Sequence, residues 1–203
     1  MNLSDDEDLC LSPEAALALS EFLAENQKNT ESSPSEDWQL SQFWYNSETT
    51  QKLADEVISQ SSDSSRIVCI SCPTLHLKLL ELNIPSTLLE YDTRFSCYET
   101  FIKYDYNSPL ELPADIENQF DIIIVDPPFL SEECLRKTSQ TVKWLSNSDE
   151  STKIILCTGR VQEELALELL CVKQCKKFQP KHERQLSNEF GCFVNFEPLV
   201  LDE

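Results

Sequence analysis

From Ser47 onward the chain alternates between two periods of apolar residues. Over about 47–60 they recur at helical spacing, with Leu53, Val57 and Ile58 read as inward. Arg66-Ile-Val-Cys-Ile-Ser71 follows as an unbroken apolar run of the length of a buried strand. The alternation continues with a helix over 74–82, strands over 87–91 and 100–104, and the most apolar strand, Phe-Asp-Ile-Ile-Ile-Val, over 120–125. Next comes a helix over 131–145, which Ser131 caps and Glu132 and Glu133 favour in its first turn. A strand over 153–157 and a helix through Leu170 complete this part. Two final strand-like runs, about 172–178 and 190–196, are joined by a polar loop and predict an antiparallel hairpin. The pattern predicts an α/β domain with a mainly parallel sheet covered on both faces and its sites at the carboxyl ends of the strands.

The front of the chain follows a different pattern. Residues 1–40 hold ten acidic side chains and one basic one, Lys28. Ser12-Pro13-Glu14 predicts the start of a helix over about 13–27, and residues 30–37, rich in Ser, Pro and acids, read as a linker. Trp38-Gln-Leu-Ser-Gln-Phe-Trp-Tyr45, with aromatics in its last three positions, marks the start of structured protein. The expected division is therefore 1–37, an acidic extension with one helix, and 38–203, the folded domain. The 38–45 run reads either as a hydrophobic lid on the cleft or as an aromatic edge that docks the N-terminal segment.

Charge and cysteine content narrow the function. The 203 residues include 36 acidic and 16 basic side chains, a net −20, which repels phosphate and disfavours direct nucleic-acid binding. The acidic head is read as a solvated tail or as an attraction for a basic protein surface. Only two glycines occur, Gly159 and Gly191, which excludes phosphate-cradling loops of the Walker or dinucleotide type. Met1–Asp8 carries four acids and neither a basic nor an apolar region, so no secretory leader, and no apolar run long enough to span a membrane, is expected. The nine cysteines are then expected as reduced thiols in a cytoplasmic setting. Cys69 and Cys72, and Cys171 and Cys175, have zinc-like spacings, but their strand positions favour small-hydrophobe packing, and no metal is expected. His76 and His182 lack ligand-spaced partners and are expected to pack.

Three loops lie where an α/β sheet places its sites. They are Ser71-Cys72-Pro73, Glu90-Tyr91-Asp92 and Asp126-Pro127-Pro128-Phe129. Consecutive prolines fix φ and remove two amide donors, leaving a rigid cluster of acceptors beside an aromatic ring. The [D/N]-P-P-[F/Y] loop after the fourth strand resembles the hallmark of class I S-adenosylmethionine-dependent methyltransferases that modify amino nitrogens. With Trp38–Tyr45, Leu89–Phe95, Tyr104–Asn107, Asp126–Thr138 and Asn188-Glu-Phe190, the chain from about 38 to 196 resembles the elongation factor 1-alpha lysine methyltransferase family, once described as putative N6-adenine methyltransferases.

That resemblance implies a Rossmann-like sheet of seven strands, S-adenosylmethionine as cofactor, and a lysine of elongation factor 1-alpha as acceptor. It implies that Asp126, Pro127, Pro128 and Phe129 hold the acceptor nitrogen. Glu90 would then take the ribose hydroxyls, Asp105 with Tyr106 the adenine, and Ser71 and Cys72 the methionine portion. The wider superfold has glycines in that first loop, a departure this chain shares with the family. The alternatives are an adenine-N6 methyltransferase of DNA or RNA that works with a basic partner subunit, and a binding module that keeps the fold without catalysis.

Overall fold

The structure is a computed structural model and describes residues 34–148, 151–184 and 186–203. The helix expected over 13–27 and the first part of the linker lie outside the described residues. Glu36–Glu203 form one compact unit. Glu36 and Asp37 join it because the Glu36 carboxylate accepts the Trp44 amide at 2.7 Å and that of Asp37 accepts the Gln39 amide at 2.9 Å.

The strands are β1 (Ile67–Ile70), β2 (Thr87–Glu90), β3 (Phe101–Lys103), β4 (Ile122–Val125), β5 (Lys153–Gly159), β6 (Lys173–Gln174) and β7 (Phe190–Val194). They form one sheet in the order β3-β2-β1-β4-β5-β7-β6. Neighbours from β3 through β5 run parallel, and β7 runs antiparallel to both β5 and β6. The predicted strands stand in their predicted places, except that 172–178 contracts to two residues. That stretch turns away at Cys175, and the amides of Lys176 and Lys177 bond the Asp202 carboxylate instead of a strand, at 2.7 and 3.0 Å.

Among the described residues four helices cover the sheet: α1 (Ser47–Gln60), α2 (Pro73–Glu81), α3 (Glu132–Leu145) and α4 (Glu163–Leu170). Caps explain where two of them start. Asn46 accepts the Thr49 amide at 2.8 Å, and Ser131 accepts the Cys134 amide at 3.2 Å. The period of two along each strand then splits the core. Ile67, Cys69, Leu88, Ile122, Ile124 and Cys157 pack on one face with Leu53 and Val57 of α1 and Leu75 and Leu79 of α2. Val68, Ile70, Leu89, Ile123, Val125 and Leu156 pack on the other with Leu135 and Val142 of α3 and Ala166 of α4. The inward reading of Ile58 is corrected: the buried stripe of α1 runs through Thr50, Leu53, Ala54 and Val57, and Ile58 falls at its exposed edge.

One buried acid closes the domain. Glu56 on α1 is fully buried, and its carboxylate accepts the amides of Leu199, Val200 and Leu201 at 2.7–3.1 Å and the Gln60 side-chain amide at 2.8 Å. Removing this acceptor leaves three main-chain donors of the C-terminal turn without their partner, that of Leu201 in a buried position. Glu56→Ala is therefore expected to lower stability by about 2–4 kcal/mol, read as a lower urea midpoint at unchanged slope. An unchanged midpoint would show that the clamp contributes nothing.

Candidate functional site

The strand order reverses between β1 and β4, and a cleft of about 690 Å³ opens beyond their carboxyl ends. Ser71, Cys72, Glu90, Asp105, Tyr106, Asp126, Pro127, Pro128 and Phe129 all line it, so the residues expected to hold the cofactor and the acceptor meet in one cleft.

The first loop follows β1. Ser71 takes a left-handed conformation, φ 54°, and its amide donates to Leu89 of β2 at 2.8 Å. A non-glycine residue pays roughly 1–2 kcal/mol for that backbone, and the turn it makes is one that glycine makes freely. Cys72 next to it is buried. Its thiol donates to the Ile124 carbonyl at 3.6 Å, and burial pushes its pKa well above the ordinary thiol value, so it is an inert packing group at the base of α2.

Glu90 ends β2 and is 5% exposed. Burial raises its pKa, opposed by the Asp92 amide that donates to it at 3.0 Å. Asp92 caps the short 3-10 turn over Thr93–Cys97. Burial acts to raise its pKa, but the Arg94 guanidinium at 2.6 Å and the Arg94 amide hold it below the ordinary carboxylate value. Asp105, beyond β3, accepts the Asn107 amide at 2.8 Å, so Tyr104–Asn107 is a side-chain-closed turn that also lines the cleft. Tyr106 meets Phe129 edge to face, with ring centres 5.7 Å apart.

Asp126 follows β4, and its amide still pairs with Ile70 of β1 at 3.0 Å. Its carboxylate accepts the Tyr45 phenol at 2.6 Å. Withdrawal from water pushes its pKa up to about 7; the Tyr45 bond works against this, and the charge of Glu90 adds to it. Phe129 is exposed at the cleft mouth, and Leu130 packs against Gly159, where a β-carbon would come within 3.2 Å of it.

Four contributors to the cleft wall were given no individual role from the sequence: Gln42, Tyr45, His182 and Phe190. The segment 36–46 crosses the open ends of the strands as a strap, and Gln39–Tyr45 form a wall of the cleft, in keeping with the lid reading. At the β2 side Gln42 donates to Asp92 at 3.0 Å and accepts from Arg94 at 3.2 Å. At the hairpin side Tyr45 pairs with His182 in an antiparallel bridge, and Glu183 donates to the Trp44 carbonyl at 2.8 Å. The His182 ring lies tilted against Tyr45 with centroids 5.3 Å apart and meets Phe190 edge to face at 4.6 Å, and burial keeps its pKa below the ordinary value against the opposing pull of Glu36. The one signal available beforehand was the aromatic run Phe43-Trp44-Tyr45. Its tie to Asp126 spans 81 residues, and no local spacing encodes it.

Among the described residues no group of three or more His, Cys, Asp or Glu is arranged to hold a metal ion, and no helix is long and apolar enough to cross a membrane. Cys69, Cys72, Cys157, Cys175 and Cys192 are buried free thiols, whereas Cys171 is exposed at the left-handed C-cap of α4.

A methyltransferase family described as probable N6-adenine methyltransferase matches residues 36–198. The chain belongs to this family. EEF1A lysine methyltransferase 1 of Homo sapiens is 50% identical to it over 97% of the chain and 96% of that protein. A protein-lysine N-methyltransferase of Caenorhabditis elegans is 41% identical over 98% and 99%. The fold is shared with a TehB-like S-adenosylmethionine-dependent methyltransferase from Corynebacterium glutamicum, TM-score 0.51 at 14% identity, over 88% of this chain and 97% of that one. The chain is thus a family member with a class I methyltransferase fold, and its cleft lies where that fold places its chemistry.

The pKa of Asp126 predicts a trade between stability and site chemistry. Its folded value lies above the unfolded value of about 3.9, so the folded chain holds the proton more tightly. This contribution to stability is present at low pH and is lost as pH rises from about 4 through about 7. Asp126→Asn, uncharged throughout, is expected to melt above wild type at pH 8, by a margin that shrinks as pH falls and closes below about pH 4. Equal melting curves at pH 8 would contradict the assignment.

Proposed function

We propose that the chain transfers the methyl group of S-adenosylmethionine to the side-chain nitrogen of a lysine in elongation factor 1-alpha. The observation that carries this reading is the meeting, in one cleft, of the Asp126–Phe129 acceptor loop with the buried acid Glu90 two strands away. The names of the relatives support the protein substrate, and the −20 charge suits a basic protein surface better than a phosphate backbone.

The residues present fit the cofactor. Glu90 is a buried acceptor at the strand end, suited to a pair of ribose hydroxyls. Asp105 and Tyr106 flank the side where adenine would lie. Ser71 turns the first loop in a glycine-like conformation, so that Ser71 and Cys72 would face the methionine portion. S-adenosylmethionine supplies a sulfonium methyl that an amine attacks in line.

The chain's own part is to present that amine neutral and aimed. A free lysine amine has a pKa near 10.4, and an aromatic, largely apolar cleft favours the uncharged form. Asp126 and the Pro127 carbonyl accept the two amine N–H bonds and direct the lone pair. Neither Pro127 nor Pro128 has an amide proton to compete for those acceptors, and Phe129 packs on the alkyl stem. With its pKa near 7, Asp126 is fully ionised, and so presents both oxygens as acceptors, only above that value, and the ammonium proton leaves to solvent as the amine enters the cleft. The gain comes mainly from positioning. The free thiols among the described residues support a reducing, cytoplasmic setting, where this substrate would be met.

Purified elongation factor 1-alpha incubated with labelled S-adenosylmethionine is expected to gain label on lysine, with kcat/KM rising as pH passes through about 7 and with loss of about 100-fold or more in Asp126→Ala. Undiminished turnover in Asp126→Ala would remove the site assignment, and label appearing on nucleic acid instead would favour the adenine reading.

A further inference from the structure

Asp126 poses a problem of orientation. The torsion that turns an aspartate carboxylate is broad and weakly restrained, and the usual local remedy is a bond from a main-chain amide one or two residues ahead. Here those two residues are Pro127 and Pro128, which have no amide proton. The orienting donor therefore has to come from elsewhere in the chain.

We propose that Tyr45 is a positioning residue for methyl transfer, its phenol holding one oxygen of the Asp126 carboxylate so that the other faces the acceptor nitrogen. This rests on the reading of Asp126 given above. The phenol donates to Oδ2 at 2.6 Å, and Tyr45 is 3% exposed. Its ring is held on both its backbone and its side-chain side. The bridge to His182, the 3.0 Å bond from the Asn46 amide to the Lys181 carbonyl and the 2.8 Å bond from the Glu183 amide to Trp44 fix the main chain. The His182 ring, tilted against Tyr45 and itself edge-on to Phe190, packs on the ring. At its other end the strap is tied through Gln42 to Asp92 beside the proposed ribose acid. One segment thus sets the acceptor carboxylate while gripping the cofactor side of the cleft.

The titratable groups around Asp126 are Tyr45 from the strap, Glu90 from the end of β2, Cys72 from the β1 loop, and Cys157 of β5, which lies near Tyr45 and Cys72. Burial, then the charge of Asp126, raises the Tyr45 phenol well above its ordinary value, and burial does the same for Cys72, so neither loses its proton near neutrality. The Tyr45 bond favours the ionised carboxylate, and its removal moves the carboxyl titration upward.

The test compares wild type, Tyr45→Phe and Asp126→Ala in three measurements: methyl transfer to elongation factor 1-alpha, S-adenosylmethionine binding by calorimetry, and the Asp126 carboxyl titration by carbon-13 NMR. Phenylalanine keeps the ring between its neighbours, and a thermal melt confirms folding. The expected result for Tyr45→Phe is cofactor affinity within about twofold and acceptor KM within about threefold of wild type. Its kcat should fall about 10- to 100-fold, and the acid limb of the pH profile and the NMR midpoint should both move to higher pH. Wild-type kcat, or a fall in kcat with an unmoved midpoint, while Asp126→Ala is inactive, would overturn the role of Tyr45 and leave that of Asp126 standing. An active Asp126→Ala would overturn both.

Discussion

The site depends on a carboxylate that is withdrawn from water yet has to stay available to a ligand. Asp126 stands where β4 ends, between the two strands at which the sheet order reverses, and its main chain is still tied to β1. Burial pushes its pKa up to about 7, and the Tyr45 phenol is the counterweight that keeps the ionised form within reach. The prolines that follow deny it local amide partners, which keeps its acceptor capacity free for a substrate and makes its orientation a matter of tertiary structure.

The strap over residues 36–46 supplies that tertiary term. It begins at Glu36, whose carboxylate accepts the Trp44 amide and pairs with Arg184 at 3.2 Å, and it ends at the Asn46 cap of α1. Between these points it touches the acid cluster after β2 through Gln42, the acceptor loop through Tyr45, and the hairpin loop through the His182 bridge. The proposed cofactor side and the proposed acceptor side of the cleft are therefore linked by a segment of about ten residues. The same economy appears at the first loop, where Ser71 adopts a left-handed backbone usually given to glycine. The chain's two glycines lie elsewhere, at the cleft ends of β5 and β7, where Leu130 packs against Gly159 and the Phe193 ring lies 2.9 Å from where a Gly191 β-carbon would stand.

Much of the sheet was legible because each strand but the short β6 is an apolar run bounded by helices or polar turns, and period and length together decide such cases. The contraction of 172–178 was not legible, because Asp202, far along the chain, takes the amides of Lys176 and Lys177. The exposed place of Ile58 depends on how α1 is rotated on the sheet, which Glu56 and the C-terminal turn help to set. Among the residues that line the cleft, Glu90 and Asp126 were proposed because an α/β sheet puts ligands after its strands, and Asp105 through the resemblance. Tyr45, Gln42 and His182 could not be, because each acts through a contact between segments far apart in the sequence. His182 read as a lone packing histidine, and it does pack, but against the tyrosine that holds the acceptor carboxylate.

The central claim is that Asp126 and the Pro127 carbonyl receive a lysine nitrogen. The most direct test is a crystal structure of the protein with S-adenosylhomocysteine and a lysine-bearing segment of elongation factor 1-alpha. The account predicts the lysine nitrogen about 3 Å from an Asp126 carboxylate oxygen and from the Pro127 carbonyl, with the Tyr45 bond to Oδ2 intact. A lysine seated away from Asp126, or an Asp126 carboxylate turned from both Tyr45 and the substrate, would contradict it.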